Sequence, residues 1–340
     1  MDCLEIQQWG GPLTRSERSI PEPDAASVRV EVEATGVGGT VRNVIDGNLG
    51  NDPEGLPRIP GHELVGTVDE VGAGVTHLDV GDRVTAYFHI VCGHCQQCLA
   101  GHDSLCTDHA GWISVDTDGG FAEYTCLPAG NALRIPEGIP ATDATVIPDA
   151  VATPVHVANQ RANVERGDRV AVLGAGGGVG IHMVQVADYF GADVTAVDIA
   201  TEKLDSCAAV GADIVHDPGP DNDLSALDAG SYDAVIDFTG ATDLLEASLD
   251  LLGPRGRLVN LTTFPGNDMS LSPRAEVMNE LDVVGSRYCS KHELKQAASL
   301  VADGDVEPVV SEKTDLDGTA ALLDRIVDNE IVGRGAMRPV

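Results

Sequence analysis

Lysine is nearly missing from this chain. Of 340 residues only Lys203, Lys291, Lys295 and Lys313 are lysines, and basic residues total 21 against 54 acidic ones, a formal net charge of −33 at pH 7. So acidic a surface repels a phosphate backbone, which argues against nucleic acid as a partner. The acids are scattered through otherwise ordinary globular segments and form no tail. Their spread reads as halophilic adaptation to molar salt, where a Debye length of about 3 Å screens the repulsion. Aromatic residues are also scarce, at 4%, so the cores must be built from Val, Ala, Leu and Ile. No apolar run approaches the roughly 18 residues of a membrane helix, and Met1–Gly10 lacks a basic and then apolar leader. The expectation is a cytoplasmic protein with no membrane partner. Length alone suggests two domains.

Cysteine is unevenly used. Eight are present, and Cys92, Cys95, Cys98 and Cys106 fall within CGHCQQCLAGHDSLC. Four thiolates this close suit a tetrahedral Zn²⁺ with a small lobe folded around it. The competing explanations are chance clustering and a redox pair, and a pair leaves two thiols unexplained. With four sulfurs the coordination is closed, so this zinc is structural. His94 and His102 are read as exposed loop residues.

The densest signal runs from Asp168 to Asp198. Arg169–Leu173 is a short apolar run, as expected of a buried parallel strand. Gly174, Gly176, Gly177, Gly178 and Gly180 follow, with Val179 opening a helical pattern through Met183, Val186, Ala187 and Phe190. A second strand, Val194–Val197, ends in Asp198. This order matches a dinucleotide-binding fingerprint, in which glycines let backbone N–H groups approach a pyrophosphate and the acid meets the ribose. On its own a glycine triplet is only a flexible turn. Asp198 would repel a 2′-phosphate, so NAD is favoured, although an arginine from elsewhere would admit NADP.

Before this stretch the chain reads as strands. Val28–Ala34 alternates with period two, Gly36–Thr40 reads as a turn, and Val65–Val71 and Gly81–Val84 continue the pattern. Strands without intervening helices suggest an antiparallel, barrel-like N-terminal domain. A helical stretch from Ala141 through Ile147-Pro148-Asp149 leads to Thr153–Ala158, taken as the domain crossing. After Asp198, helices alternate with strands at Ile214-Val215, Tyr232–Phe238, Arg257–Leu261 and Leu281–Gly285. That is the pattern of an α/β doubly wound parallel sheet.

Together, Gly61-His62-Glu63, the cysteine lobe, Ile147-Pro148-Asp149, the glycine loop with Asp198, and Gly285-Ser286 resemble the zinc-containing medium-chain alcohol dehydrogenases over essentially the whole length. The resemblance implies a GroES-like, mainly antiparallel catalytic domain at 1–152 that includes the zinc lobe 92–106. It implies a Rossmann domain at 153–288 and a C-terminal segment, 289–340, returning to the first domain. It also implies a homodimer or homotetramer and a small-molecule substrate. By the same resemblance Thr40, His62, Glu63 and Asp149 are catalytic candidates, and Thr153 and Lys203 join the glycines at the cofactor. In that family a catalytic zinc is held by a cysteine, the GHE histidine and a later Cys, Asp or Glu. Here Gly38 stands at the cysteine's place, Val41 replaces an aspartate and Asn43 replaces a relay histidine. A second zinc on His62, Asp149 and Glu63 and an empty site are both open. Arg42 is either a surface guanidinium or a contact to an anionic substrate. The leading expectation is an NAD(P)-dependent oxidoreductase acting on a small alcohol, polyol or sugar-derived substrate. The alternatives are an enoyl-CoA (acryloyl-CoA-like) or quinone reductase, and a non-catalytic nucleotide-binding protein.

Overall fold

A computed structural model describes residues 1–262 and 268–340. These divide into two compact units. The first comprises Met1–Ala152, Cys289–Gly304 and Pro308–Val340; the second comprises Thr153–Tyr288 and Asp305–Glu307.

The first unit is built on the strand Ser27–Val37. Val28, Val30, Val32 and Ala34 point inward and are buried, while the residues between them are more accessible. Period-two burial of this kind is what one packed sheet face requires. The strand pairs antiparallel with Leu64–Val71, Tyr124–Pro128 and Arg334–Met337. The sheet continues through Arg83–Ala86 and Ala132–Arg134 on one side and Val310–Thr314 on the other. Bulges between Arg29 and Val30 and between Val32 and Ala34 interrupt its register with Leu64–Val71. Such bulges bend a strand and increase its twist. Past Ala34 every residue to Gly38 is buried, so the strand end runs into the interior.

Here the structure departs from expectation. Gly36 and Val37 still belong to the strand, and Gly39–Ile45 is an α-helix rather than part of a turn. Val41, Val44 and Ile45 recur at helical spacing and bury against Cys3, Ile6, Leu322 and Met337 in one core cluster. Burying each such side chain contributes about 1.5–3 kcal/mol, enough to override the helix-weakening glycine at its start. The helical stretch from Ala141 is likewise broken. It consists of Ala141–Ala144, a π-helical turn Ile147–Val151, and Ala152–His156.

The second unit holds a six-stranded, wholly parallel sheet. Its spatial order is Ile214–His216, Asp193–Val197, Arg169–Leu173, Tyr232–Asp237, Leu252–Asn260 and Asp282–Gly285. In chain order that is 3-2-1-4-5-6, the doubly wound arrangement that binds dinucleotides. The first strand lies at the centre, and Val170, Ala171, Val172 and Leu173 are fully buried. Its apolar run thus reflects a strand covered on both faces.

Candidate functional site

The cysteine lobe closes on itself. The Sγ atoms of Cys95 and Cys98 are 3.5 Å apart, those of Cys106 and Cys92 3.5 Å, and those of Cys95 and Cys106 3.9 Å. Four sulfurs at about 2.3 Å from one tetrahedral zinc would be separated by roughly 3.8 Å. The cage therefore fits Zn²⁺. Backbone N–H groups of Cys92 and Cys95 donate to the sulfurs of Cys106 and Cys92, which suits thiolates. His94 and His102 are exposed.

A second polar cluster lies in the interior of the first unit. His62 and Glu63 directly precede the strand Leu64–Val71, and Asp149 sits in the π-helical turn, where Val151 N–H donates to the Val146 carbonyl at 2.9 Å. Their ligand atoms all fall within 4.8 Å of one another. His62 Nε2 is 3.3 Å from Asp149 Oδ2, and the Phe88 ring meets the imidazole edge-on at 4.7 Å. A fourth member was not anticipated. Arg334, on the strand Arg334–Met337, donates from Nη2 to Glu63 Oε1 at 2.8 Å and lies 3.6 Å from Asp149 Oδ2. Burial disfavours its charge, but Glu63 and Asp149 together raise its pKa above the ordinary arginine value. The only hint in the sequence is a basic residue, in a chain poor in them, between two glycines of a terminal strand.

The residues present do not make a closed zinc site around His62. Glu63 is committed to a guanidinium, and a side chain at position 38 would collide with it, the Cβ falling 2.1 Å from Arg334 Nη1. Two unit charges roughly 4 Å apart repel by about 4 kcal/mol at an effective dielectric of 20, and a dication doubles that. The thiolate that would offset this is missing.

The other candidates in this unit are more dispersed. Thr40 is half-buried in the first turn of Gly39–Ile45. Val41 has joined the core, and Asn43 accepts from Asn48 Nδ2 at 3.3 Å. Arg42 pairs with Asp46 one turn on, at 2.8 Å.

In the second unit the glycine loop is shaped by close approach. A Cβ on Gly176 would lie 2.3 Å from Lys203 Cβ, and one on Gly180 would lie 2.2 Å from the Gly174 carbonyl oxygen. Gly174 takes φ +74°, which favours glycine. The helix Gly180–Phe190 starts without a side-chain cap; Ile181 and Met183 N–H donate to the Gly177 and Val179 carbonyls, and an anion at this end meets the positive end of the helix dipole. His182 Nδ1 lies 2.7 Å from the Gly178 carbonyl and braces the loop. Asp198, at the end of Asp193–Val197, accepts from Gly176 N–H at 2.9 Å and Ala200 N–H at 3.2 Å. Buried Lys203 lies beside it. Desolvation lowers the lysine's pKa, and the aspartate opposes that shift. Thr153 is buried in Ala152–His156. A loop this stripped of side chains, with a carboxylate at the neighbouring strand end, fits a dinucleotide.

Comparison with known proteins agrees with this geometry. Residues 24–137 match the alcohol dehydrogenase GroES-like domain, and residues 178–303 match the zinc-binding dehydrogenase family. An alcohol dehydrogenase of Geobacillus stearothermophilus is 32% identical over 343 residues, covering 99% of both chains. An acryloyl-coenzyme A reductase of Sulfurisphaera tokodaii is 29% identical over 83% of this chain and 84% of its own. The cobalt- and zinc-bound thermostable alcohol dehydrogenase of Pyrobaculum aerophilum superposes with a TM-score of 0.87 at 31% identity, over 99% of each chain. With these matches along both units, the chain belongs to the zinc-containing medium-chain dehydrogenases and is an oxidoreductase of that superfamily.

Proposed function

We propose that the protein is an NAD-dependent dehydrogenase acting on a small alcohol, polyol or sugar-derived substrate. The observation that carries this reading is the buried set of one imidazole, two carboxylates and one guanidinium, in a chain whose other unit carries a dinucleotide loop. When bound, nicotinamide supplies C4 as hydride acceptor, so that an alcohol loses a hydride from carbon and a proton from oxygen and becomes a carbonyl. His62, steadied by Phe88 and Asp149, is the group suited to hold that proton. The Thr40 hydroxyl is assigned to orienting the substrate oxygen. Asp198 selects NAD, since both its oxygens already accept backbone N–H groups and a 2′-phosphate would meet a like charge.

NADH formation from a panel of small alcohols, polyols and sugars tests the reading. His62→Ala is expected to lower kcat/KM by about 100-fold or more. Parent-like turnover in that variant would remove His62 from the chemistry. The relationship to the acryloyl-coenzyme A reductase, together with the guanidinium beside Gly38, supports a second reading: reduction of an activated carbon–carbon double bond. NAD(P)H oxidation by an enoyl-CoA or quinone, with no alcohol activity, would select it.

The acid excess supports a further reading, that the protein folds for molar salt. Its melting temperature is expected to fall steeply as KCl is lowered from molar to millimolar, because the Debye length grows from about 3 Å to about 30 Å at 0.01 M. A melting temperature indifferent to salt would end that reading.

A further inference from the structure

The cluster around His62 has a cation of its own, lodged where the side chain of residue 38 would begin. Gly38 has φ −146° and ψ 173°, extended backbone open to any residue. Glycine is therefore not needed at this position for its conformation. It is needed for room: a Cβ would lie 2.1 Å from Nη1 and 2.7 Å from Cζ of Arg334. The backbone sets up this meeting. Gly335 pairs with Val37 across adjacent antiparallel strands, so Arg334 and Gly38 are the next residues in register. The Arg334 side chain is 6% exposed and Glu63 is fully buried.

We propose that this guanidinium, and not a second metal ion, is the positive charge of the site, and that it donates to the substrate oxygen as negative charge gathers there. The proposal deepens the hydride-transfer reading above and rests on it. Guanidinium carries five donors and no acceptor. Its Nε is buried without a partner, as are Nδ1 of His62 and Oε2 of Glu63. Unmet polar atoms gathered in one buried cluster mark the place of a polar ligand. In oxidation the hydroxyl proton would pass by way of His62 to solvent, and the carbinol C–H bond would then break, both its electrons leaving as hydride to nicotinamide C4. The products are a carbonyl, NADH and H⁺. Between those events the oxygen bears the charge, and a donor already in position needs no reorganisation to meet it. Gly38 and Arg334 thus form one coupled replacement of a thiolate and its metal.

Metal analysis of the purified full chain decides the first half. One zinc per chain is expected in the parent and in Gly38→Cys. The double variant Gly38→Cys/Arg334→Ala restores a thiolate and removes the cation, so it should take up two. With Co²⁺ in place of zinc, only the double variant should gain the extra thiolate-to-cobalt absorption of a second site. Two zinc ions in the parent would overturn the proposal, whether or not the variants fold. For the second half, Arg334→Ala should lose at least about 100-fold in kcat/KM and recover part of it with added guanidinium ion. Absence of that rescue would overturn the donor role. If no alcohol, enoyl-CoA or quinone turns over, the hydride-transfer reading fails alone, and the metal count still decides whether the guanidinium has displaced a metal.

Discussion

Gly180→Ala is expected to raise the dissociation constant for NADH by about 100-fold or more, a loss of about 2.7 kcal/mol. The added methyl would lie 2.2 Å from the carbonyl oxygen of Gly174 and 2.9 Å from Cα of Ala175. Both are backbone atoms, so no side-chain rotation relieves the clash. The loop must open, and the positive end of Gly180–Phe190 is then no longer held against a pyrophosphate. Fluorescence titration with NADH measures the effect. Zinc content and far-UV circular dichroism in the same preparation show whether the rest of the chain is intact. Binding within a factor of about three of the parent would mean that pyrophosphate does not sit at this turn.

Cys98→Ser is expected to empty the lobe of zinc and to lower the melting temperature by roughly 10 °C or more. Structural zinc sites contribute on the order of 10–16 kcal/mol of apparent binding energy, and losing one of four thiolates forfeits several of these. At about 2–4 °C per kcal/mol for a unit of this size, the shift is large. Two-residue pairing of His89–Ile90 with Gly111–Trp112 and the Lys291 N–H, which donates to Asp103 Oδ2 at 3.0 Å, tie the lobe to its surroundings. Its only regular elements are the single turns Gln96–Leu99 and Asp103–Leu105. Exposed Leu99 and Leu105 show that it lacks an apolar core of its own. Elemental analysis with calorimetry checks the outcome. An unchanged melting temperature after complete loss of zinc would assign the lobe's order to something else.

The features legible in the sequence are local ones. Alternation along Val28–Ala34, the uninterrupted apolar run Val170–Leu173 and the cysteine spacing each encode one element by a short-range rule. The mixed α/β class follows from them. Elements decided by distant contacts were not legible. Helix Gly39–Ile45 hides behind two glycines because its stability comes from residues such as Leu322 and Met337. Helix Pro273–Asn279 leaves Val277 and Met278 exposed, so it shows no apolar stripe to read. The π-helical turn around Asp149 breaks the 3.6-residue period on which helix reading depends. Arg334 is the sharpest case. Its partner Glu63 is 271 residues away, and they are neighbours because Arg334–Met337 and Leu64–Val71, which Glu63 precedes, both pair with Ser27–Val37.

That pairing bears on how the polypeptide matures. Residues Thr153–Tyr288 form a nearly self-contained stretch, so translation delivers most of the second unit's chain before the C-terminal strand exists. The first unit waits for Arg334–Met337, which enter its sheet between Ser27–Val37 and Val310–Thr314 only after Thr153–Tyr288 has been made. Until then Glu63 has no guanidinium to neutralise it. The cluster proposed to carry the chemistry thus assembles only after most of the second unit's chain has been synthesised.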